Sequence, residues 1–566
     1  MKSGVYTSPS ARVPDDGTTF GGEPALPKVP TPREELVEIQ REIFQRNYER
    51  LLESEIDSPG QLKRYEATYN LGVQRYSELS TIDELARRAR KADLVYVGDY
   101  HTLGVSQKTF VKLLRRLRRP NKKLLIGLEF VEGRYQEEVD RYLAGRIKDT
   151  TFLKRIRYAE RWPYDIWPNF KLIFEFAQKY EIPIRALDCD SRECNTLHGR
   201  DSYAGWRIAE AFSREPDAQM VVLFGELHIA PEHLPTVVAE NLAKLGETRE
   251  WFIVYQNCEE IYWSLVEKGL EQTEEVVEID ERRFCILNTP PIIVQQSYLN
   301  WLDYDEDSLE HDNLLKNFNE LIDVLIKFLR LSSDTLQQAR EELQVYGPGD
   351  TRFMRKLRKR HVYSEHHLEI LRQQILEGES FFLPEANLVY LGNLSVNHAG
   401  EEATHFLKTV LSGYEGVQPM RDAFYTRIMH EAIGFFGSKI INHKRKSPNE
   451  RYFRQIVRNF AHDPTIGRDE LTVAVCVLMH KRWEQGKNVR NFSKLFHQDD
   501  AIFNMVTHSL GYMLGDKLYY ALLEGTITKG EIVDLFHESF EETNSACATY
   551  FHLCQIVANT KTPKRL

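Results

Sequence analysis

Short apolar runs alternate with longer amphipathic stretches between residues 93 and 305 of this 566-residue chain. The apolar runs are rich in β-branched residues, which favours buried strands, and the stretches between them have helical periodicity. The predicted strands are 94–98, 124–128, 182–187, 220–224 and 252–255, and the predicted helices are 105–119, 134–145, 169–180, 202–213 and 232–244. This alternation is typical of βαβ units and predicts an α/β domain, over residues 93–305, with a mainly parallel sheet and flanking helices.

The residues on either side of this alternation follow other patterns. Residues 1–32 are rich in Pro, Gly and Ser, which predicts a disordered leader. Residues 33–92 are predicted to form N-terminal helices. An extended pair at 276–279 and 284–287 predicts a hairpin at the edge of the sheet.

A strongly acidic stretch over residues 303–307 marks a predicted domain boundary near 305–312. A chain of this length is too long for one core, so we expect two or more domains. Residues 310–566 are predicted to form a separate, mostly α-helical domain of unknown role. Its amphipathic stretches are 313–330, 365–377, 401–411, 421–442, 468–485 and 530–540.

The composition argues against several classes of protein. A formal net charge of -10 is unfavourable for a general nucleic-acid binder, and no segment is long and apolar enough for a transmembrane helix. The first residues contain no apolar signal region and no lipid-bearing cysteine, which predicts a cytoplasmic protein. The 7 cysteines are scattered without zinc-finger spacing, so we expect them to be reduced and to be core or incidental residues.

Two of the predicted strands end in the same arrangement, a glycine followed by an acid and, two residues later, a histidine. These strings are Gly98-Asp99-Tyr100-His101 and Gly225-Glu226-Leu227-His228. The other strand ends carry Glu129, then Asp188 and Asp190, and finally Gln256 and Asn257. Because the carboxyl ends of parallel strands gather at one edge of a sheet, these side chains are predicted to form one shared site.

Carboxylates and imidazoles crowded together suit two kinds of chemistry. Neutral histidine with carboxylates suits a divalent ion such as Zn, Mn or Fe, and the predicted ligands are His101, Glu129 and His228. An imidazole beside a carboxylate also suits a general base with its orienting partner. The predicted catalytic residues are Asp99, His101, Glu129, Glu226 and His228.

Other residues near the strand ends have both structural and functional interpretations. Acids at strand ends often cap the helix that follows, as we expect of Asp190, and Asp201 is the expected N-cap of the next helix. Trp162, Tyr164 and Trp167 lie on a segment that its prolines keep from being a regular helix. These aromatic side chains either line a pocket for a flat or apolar ligand or pack as a loop over the sheet.

The stretch from about 93 to 300 resembles the ChaN-like haem-binding domain, in the superfamily that includes TraB, the Tiki proteases and the erythromycin esterases. The matching pieces are Gly98-Asp99-Tyr100-His101, Leu128-Glu129-Phe130, the Trp162 to Trp167 segment, Ile182-Pro183-Ile184-Arg185-Ala186-Leu187, Arg200-Asp201 and Gly225-Glu226-Leu227-His228. Residues 310–566 resemble no family that we recognise.

The resemblance implies three activities. ChaN-like proteins are associated with haem binding and iron uptake, Tiki-like members resemble metal-dependent peptidases, and erythromycin esterases hydrolyse a lactone. Asp99 stands where the first motif of the family usually has glutamate, so the resemblance does not carry the family's base or ligand role over to Asp99. For haem, the implied ligands are Tyr100 and His101, and the implied covering residues are Trp162, Tyr164 and Trp167.

Three functions follow as hypotheses. The first is binding of haem, iron or a divalent metal, and the second is hydrolysis of an ester, lactone or peptide by a metal- or His/Glu-dependent site. The third is a scaffold whose C-terminal helices bind a protein partner or a second copy of the chain. There, the Glu402-x-x-His405 spacing and the neighbouring His430-Glu431 suggest a carboxylate metal site in a helical bundle, although packed or surface roles are the simpler expectation.

Overall fold

The computed structural model describes residues 29–54, 60–162, 165–190, 194–302, 311–361, 363–463 and 465–565. Residues 1–28 of the predicted leader and residues 303–310 of the predicted boundary lie outside this part of the chain. Within the described part, the strands are β1 (Glu78–Leu79), β2 (Leu94–Asp99), β3 (Leu124–Glu132), β4 (Ile184–Asp188), β5 (Gln219–Gly225), β6 (Trp251–Gln256), β7 (Val276–Asp280), β8 (Arg283–Ile286), β9 (Gln344–Tyr346), β10 (Phe381–Leu383) and β11 (Leu388–Tyr390).

The α-helices up to the predicted boundary are α1 (Pro32–Ser54), α2 (Gly60–Gly72), α3 (Ile82–Ala89), α4 (Gly104–Leu117), α5 (Gln136–Leu143), α6 (Asp149–Arg155), α7 (Tyr158–Arg161), α8 (Trp167–Lys179), α9 (Leu197–Arg214), α10 (Leu234–Lys244), α11 (Glu259–Glu267) and α12 (Pro291–Leu302). Those beyond it are α13 (His311–Leu329), α14 (Asp334–Glu341), α15 (Arg352–Arg360), α16 (Glu365–Glu377), α17 (Val396–Ser412), α18 (Met420–Ile441), α19 (Glu450–Asn459), α20 (Arg468–Glu484), α21 (Asp500–Glu524), α22 (Lys529–His537) and α23 (Ser545–Ile556). No helix in the described ranges combines the length and the apolar composition needed to cross a bilayer.

The main sheet confirms the predicted α/β class. As far as the described residues form it, it has eight strands in the order β1-β7-β8-β6-β2-β5-β3-β4. Strand β2 is parallel to β5 and β6, β3 is parallel to β4 and β5, and β6 is parallel to β8. The predicted hairpin is the antiparallel pair β7–β8, and the short strand β1 pairs with its outer side.

Alternate residues of the central strands pack into two apolar layers, one on each face of the sheet. Val95 and Val97 face one layer, together with helices α4 and α8, whereas Leu94 and Tyr96 face the other. The side chains of a strand point to opposite faces in turn, so each central strand is covered on both sides. This explains why the central strands are continuous apolar runs in the sequence.

Strand β3 is longer than predicted. The sequence pattern ends the strand at residue 128, but the structure continues it to Glu132, with a register shift against β4 between Leu128 and Glu132. The polar side chain of Glu129 interrupts the apolar run, so the periodicity does not reveal the last part of the strand.

The region beyond residue 311 is mostly helical, as predicted. Glycines of α18 and α21 lie where neighbouring helices approach closely. A Cβ atom on Gly437 would lie 2.0 Å from Oγ1 of Thr404 in α17, and one on Gly515 would lie 2.3 Å from the carbonyl oxygen of Ala432.

The small sheet β10-β11-β9 was not predicted, because strands of three residues are too short to establish an alternating pattern.

The helical region packs directly against the α/β region. Leu36 of α1 and Ile292 of α12 belong to the same apolar core as the C-terminal helices. A polar contact joins the two regions as well, since Nζ of Lys444 donates to the carbonyl oxygen of Glu274 at 2.9 Å.

One expectation about the cysteines is wrong. Cys189 and Cys194 form a disulfide, and their Cα atoms lie 6.2 Å apart. Cys258, Cys285, Cys476 and Cys547 are free and buried, and Cys554 is free and partly buried. The sequence spacing gave no sign of the pair, since a separation of five residues occurs equally in unpaired cysteines.

Candidate functional site

Four adjacent strands carry the predicted site residues to one edge of the sheet. The strand order β2-β5-β3-β4 places the ends of these strands side by side, and Asp99 is directly opposite Gly225 in the β2–β5 register. Asp188 ends β4 and is opposite Glu132 of β3. The strands are parallel, so their carboxyl ends form one cluster, which is the usual place for a ligand site in such sheets.

In the first string, the acid and the histidine bind each other. Asp99 is the last residue of β2, and its Oδ2 lies 2.6 Å from Nδ1 of His101. Gln107 donates from Nε2 to the other carboxylate oxygen of Asp99 at 2.5 Å. Burial alone lowers the pKa of His101, but the charge and hydrogen bond of Asp99 outweigh it and raise the pKa overall.

In the second string, the chain turns into a short 3-10 helix at Glu226, and the acid and histidine separate. Oε1 of Glu226 accepts hydrogen bonds from the Tyr69 hydroxyl at 3.1 Å and from the Gln256 N–H at 3.0 Å. Its Oε2 has no hydrogen-bond partner among the described residues and lies against Gly98, where a Cβ atom would be only 1.5 Å away. Burial raises the pKa of Glu226 to about 8.

The histidine of the second string binds an acid from a different element. Nδ1 of His228 lies 2.5 Å from Oδ1 of Asp201, and the Tyr65 hydroxyl donates to Oδ2 of Asp201 at 2.9 Å. The expectation that Asp201 is an N-cap is therefore wrong. Helix α9 begins earlier, at Leu197, and Thr196 is its cap, which places Asp201 inside the helix facing the sheet.

Glu129 lies between the two strings. Its Oε2 accepts from the Gly225 N–H at 2.5 Å and lies 3.7 Å from Nε2 of His101, and its Oε1 accepts from Arg200. Burial alone raises the pKa of Glu129, but the charge of Arg200 and of the nearby imidazoles outweighs it and lowers the pKa to about 2.

Arg161 and Arg200 compensate the negative charge of Asp188. Nε of Arg200 donates to Oδ1 of Asp188 at 3.0 Å, and Arg161 pairs with the other oxygen of the same carboxylate. Burial lowers the pKa of Arg161, and the charge of Arg200 acts in the same direction. These arginines were not predicted as site residues, because nothing local marks a cation that pairs with an acid many residues away.

The three predicted metal ligands do not converge on one point. His101 and Glu129 face each other at 3.7 Å, but among the described residues His228 forms its ion pair with Asp201 and with neither of them. The group of three described side chains whose ligand atoms do converge lies in the helical region.

The aromatic residues of the predicted pocket are at different depths. Trp162 stands edge-on to His101, with 5.0 Å between the ring centroids, and Trp167 is buried in the aromatic core around Phe130. Tyr164 lies outside the described residues. Burial raises the pKa of Tyr100 well above its usual value, and the nearby charge of Glu226 acts in the same direction.

Asp190 pairs with an arginine at the rim of the carboxylate and arginine network. Its carboxylate accepts a hydrogen bond from Arg134 at 2.7 Å. Residues 191–193, which directly follow it, lie outside the described residues, so the expected cap stays a prediction.

Chemically, the site is a set of buried acid–base pairs in which one imidazole reaches solvent. The side chain of His101 is 23% exposed and that of His228 is 6% exposed, and in both rings Nδ1 is held by a carboxylate. Nε2 is therefore the nitrogen of His101 that is left for a ligand or for proton transfer. Such a fixed imidazole serves equally well as a metal ligand and as a general base.

The fold and the site together define an α/β protein with a histidine and carboxylate site at the carboxyl edge of its sheet. A family model described as "Haem-binding uptake, Tiki superfamily, ChaN" matches residues 85–201, which confirms the resemblance of this stretch to ChaN-like proteins. The matched residues include the first string, Glu129 and Arg200, and they end before the second string. No curated protein matches the chain.

Two solved structures are similar at low identity. One is ChaN of Campylobacter jejuni with cofacial heme binding, at 12% identity and a TM-score of 0.25, covering 32% of this chain and 88% of that chain. The other is the type III effector HopBA1, at 12% identity and a TM-score of 0.27, covering 38% of this chain and 96% of that chain. Similarities of this size carry no argument about the chemistry of the present site.

Proposed function

We propose that the strand-end site binds haem, with Nε2 of His101 as the ligand to the iron. One observation carries the proposal: His101 is held through Nδ1 by Asp99 at 2.6 Å, while its ring is 23% exposed. A carboxylate on the far nitrogen fixes the orientation of an imidazole ligand and increases its basicity. The family match over residues 85–201, which is to haem-binding proteins, supports the same ligand class.

The residues present fit a haem on the side of His101. Trp162 lies edge-on to the imidazole, and the Phe170 ring is 6.1 Å from it, so aromatic surface adjoins the ring whose Nε2 lies 3.7 Å from Glu129. Tyr100 is left out of the proposal because its hydroxyl forms a hydrogen bond with Tyr69, close to Glu226. When bound, haem would supply an iron centre, which Nε2 of His101 would hold in the orientation that Asp99 fixes.

A hemin titration followed by absorption spectroscopy tests this proposal. The wild-type chain is expected to give a shifted Soret band, and His101→Ala is expected to remove it. His366→Ala is the matched control for a non-specific surface histidine, since its side chain is 76% exposed and lies on α16. Tyr100→Phe is expected to keep the band. A free-hemin spectrum in the wild type, or an unchanged band in His101→Ala, would contradict the proposal.

A second candidate function, hydrolysis, is favoured by the same dyad. Asp99 holds His101 in the orientation of a general base, and the guanidinium groups of Arg161 and Arg200 lie within the same carboxylate network. Because Asp99 raises the pKa of His101, the neutral form needed for a base increases only at higher pH. The rate is therefore expected to rise with pH through a value above the usual pKa of histidine.

Turnover of model esters, lactones and amides tests this second function. His101→Ala is expected to lower the rate by about 10²-fold or more, and Asp99→Asn is expected to lower it while leaving the fold intact. His366→Ala again serves as the control. Full activity in His101→Ala, or no turnover by the wild type, would exclude hydrolysis at this site without affecting the haem experiment.

A further inference from the structure

Three helices of the C-terminal region bring carboxylates and imidazoles to one place. Helix α17 contributes Glu401, Glu402 and His405, α18 contributes Glu431, and α21 contributes His508. Each of Glu401, His405 and Glu431 offers one ligand atom, and these three atoms lie within 4.8 Å of one another. Glu401 and Glu431 are buried, 4% and 3% exposed, and the side chain of His405 is 17% exposed.

Glycine makes room for this arrangement. A Cβ atom on Gly434 would lie 2.3 Å from Nε2 of His405, so any other residue would displace the imidazole from its position over α18. A Cβ atom on Gly511 of α21 would lie 2.5 Å from the Cβ atom of Glu431. The backbones approach closely at the height of the cluster, because the glycine positions carry no side chain there.

Two of the converging atoms have no internal partner. Oε1 of Glu401 and Nε2 of His405 are both inaccessible to solvent and make no hydrogen bond within the described part of the chain. Polar atoms that are buried without a partner are rare, and each calls for a ligand, a water or an ion. Here the two atoms belong to different residues and face the same small volume as Glu431.

The second polar atom of Glu401 and of His405 has a partner within the protein. Oε2 of Glu401 accepts from Arg445 at 2.7 Å and from the Tyr512 hydroxyl at 2.6 Å. Nδ1 of His405 lies 3.3 Å from Oε2 of Glu402. Metal-binding side chains are commonly oriented in this way, because a carboxylate behind an imidazole fixes which nitrogen faces the ion.

We propose that Glu401, His405 and Glu431 bind a divalent transition-metal ion, such as Mn²⁺, Fe²⁺ or Zn²⁺. Two carboxylates with one imidazole are a ligand set for these ions, whereas Ca²⁺ and Mg²⁺ prefer oxygen ligands alone. Glu431 is kept in place by Arg427 and by His508, each at 2.9 Å. This site is independent of the proposed function of the strand-end site.

The competing occupant of this position is a proton. Burial alone lowers the pKa of His405, but Glu402, Glu431 and Glu401 outweigh it and raise the pKa to about 9. An imidazolium ion at His405 would balance part of the carboxylate charge without a metal. A measurement of bound metal separates the two cases, since a protonated His405 binds none.

The experiment uses the full chain, stripped with a chelator and then titrated separately with Mn²⁺ and Zn²⁺. About one ion per chain is expected to bind at this site, and His405→Gln and Glu431→Gln are each expected to weaken it at least tenfold. His430→Gln is the matched control, because His430 is next to Glu431 in the sequence but lies 3.2 Å from Glu415 instead. His101→Ala is a second control, and it tests whether the ion belongs to the strand-end site.

Two further measurements keep the proposal testable if a ligand variant fails to fold. Glu402→Gln keeps all three ligands and is expected to weaken binding by about 10- to 100-fold. Pulsed electron paramagnetic resonance of Mn²⁺ in the wild type is expected to detect one imidazole nitrogen. The proposal is overturned if the wild type binds no ion, if the bound Mn²⁺ has no imidazole nitrogen, or if His101→Ala alone abolishes binding.

Discussion

The two Gly-acid-x-His strings have the same spacing and end adjacent strands, but their side chains have different partners. In the first string, Asp99 binds His101 of the same string at 2.6 Å. In the second, Glu226 binds Tyr69 and the backbone of Gln256, and His228 of that string binds a carboxylate from α9. Equal spacing in the sequence therefore does not produce equal chemistry.

The difference comes from the backbone after each glycine. Strand β2 continues through Asp99, so the acid keeps the direction of the strand and meets His101 on the same side. Strand β5 ends at Gly225, and the 3-10 helix that follows turns Glu226 beneath the first string. The local conformation thus decides whether an acid and a histidine two residues apart form a pair.

The largest expected effect concerns Arg200, which pairs with Glu129, the residue between the two strings. Arg200→Ala leaves the buried carboxylates of Glu129 and Asp188, 3% and 0% exposed, without their shared cation. Removing one partner from a buried ion pair costs about 3–5 kcal/mol, and urea denaturation measures this loss in the free energy of unfolding. Arg214→Ala is the control, since this arginine pairs with Glu210 at the surface. Equal losses in the two variants would show that Arg200 does not stabilise the buried carboxylates of Glu129 and Asp188.

The next effect tests the contact between the strings. Gly98→Ala places a Cβ atom 1.5 Å from Oε2 of Glu226, which must then move away from a position that two hydrogen bonds to Oε1 hold. Overpacking of this kind typically costs about 1–3 kcal/mol, which thermal or urea unfolding would detect. A neutral result would mean that Glu226 does not occupy the space over Gly98.

The pH dependence of the free energy of unfolding tests the burial of Glu226, the acid of the second string. The pKa of Glu226 is raised from 4.5 to about 8 in the folded chain, so between these values the folded state holds a proton that the unfolded state releases. Stability contributed by this residue therefore falls as pH rises, at up to about 1.4 kcal/mol per pH unit.

Glu226→Gln is expected to remove this component of the slope, because glutamine does not titrate. Unfolding free energies measured between pH 5 and about 8 for both proteins check it, with Glu210→Gln as an exposed-pair control. Parallel pH profiles for wild type and Glu226→Gln would contradict the raised pKa.

The smallest expected effect is that of Gly225→Ala. Its Cβ atom would lie 3.2 Å from Oε2 of Glu129 and 3.4 Å from the His228 ring, which requires only a slight shift of either group. We expect a loss below about 1 kcal/mol, smaller than that of Gly98→Ala in the same unfolding experiment. A loss of unfolding free energy larger than that of Gly98→Ala would contradict the tighter packing around Gly98 than around Gly225.

Much of the fold could be predicted, because the evidence for it is local. The five central strands and the helices between them are visible as apolar runs and helical periodicity, and the edge hairpin is visible as two short extended runs. The predicted ends of the elements were less accurate. Strand β3 continues past Glu129, and α9 begins at Leu197 rather than after Asp201.

The partners of the site residues could not be predicted, because they come from distant parts of the chain. Asp201 is 27 residues from His228, and Arg200 is 71 residues from Glu129. Only the packing of α9 against the sheet brings them together, and no local pattern encodes that distance. In the helical region, the spacing of Glu402 and His405 indicated the helix that carries the cluster, but it did not reveal Glu401. His430 was suggested as well, but it pairs with Glu415 instead.

By itself, the sequence determined where acids and histidines leave the sheet, since β-branched runs and glycines define strand ends locally. The tertiary structure alone decided which carboxylate binds which histidine. Asp99 binds His101 because strand β2 continues as far as Asp99, whereas His228 binds Asp201, which the packing of α9 brings to the site. The physical reason is that a hydrogen bond or ion pair requires atoms within a few ångströms of each other, and folding brings residues that close regardless of their distance along the chain.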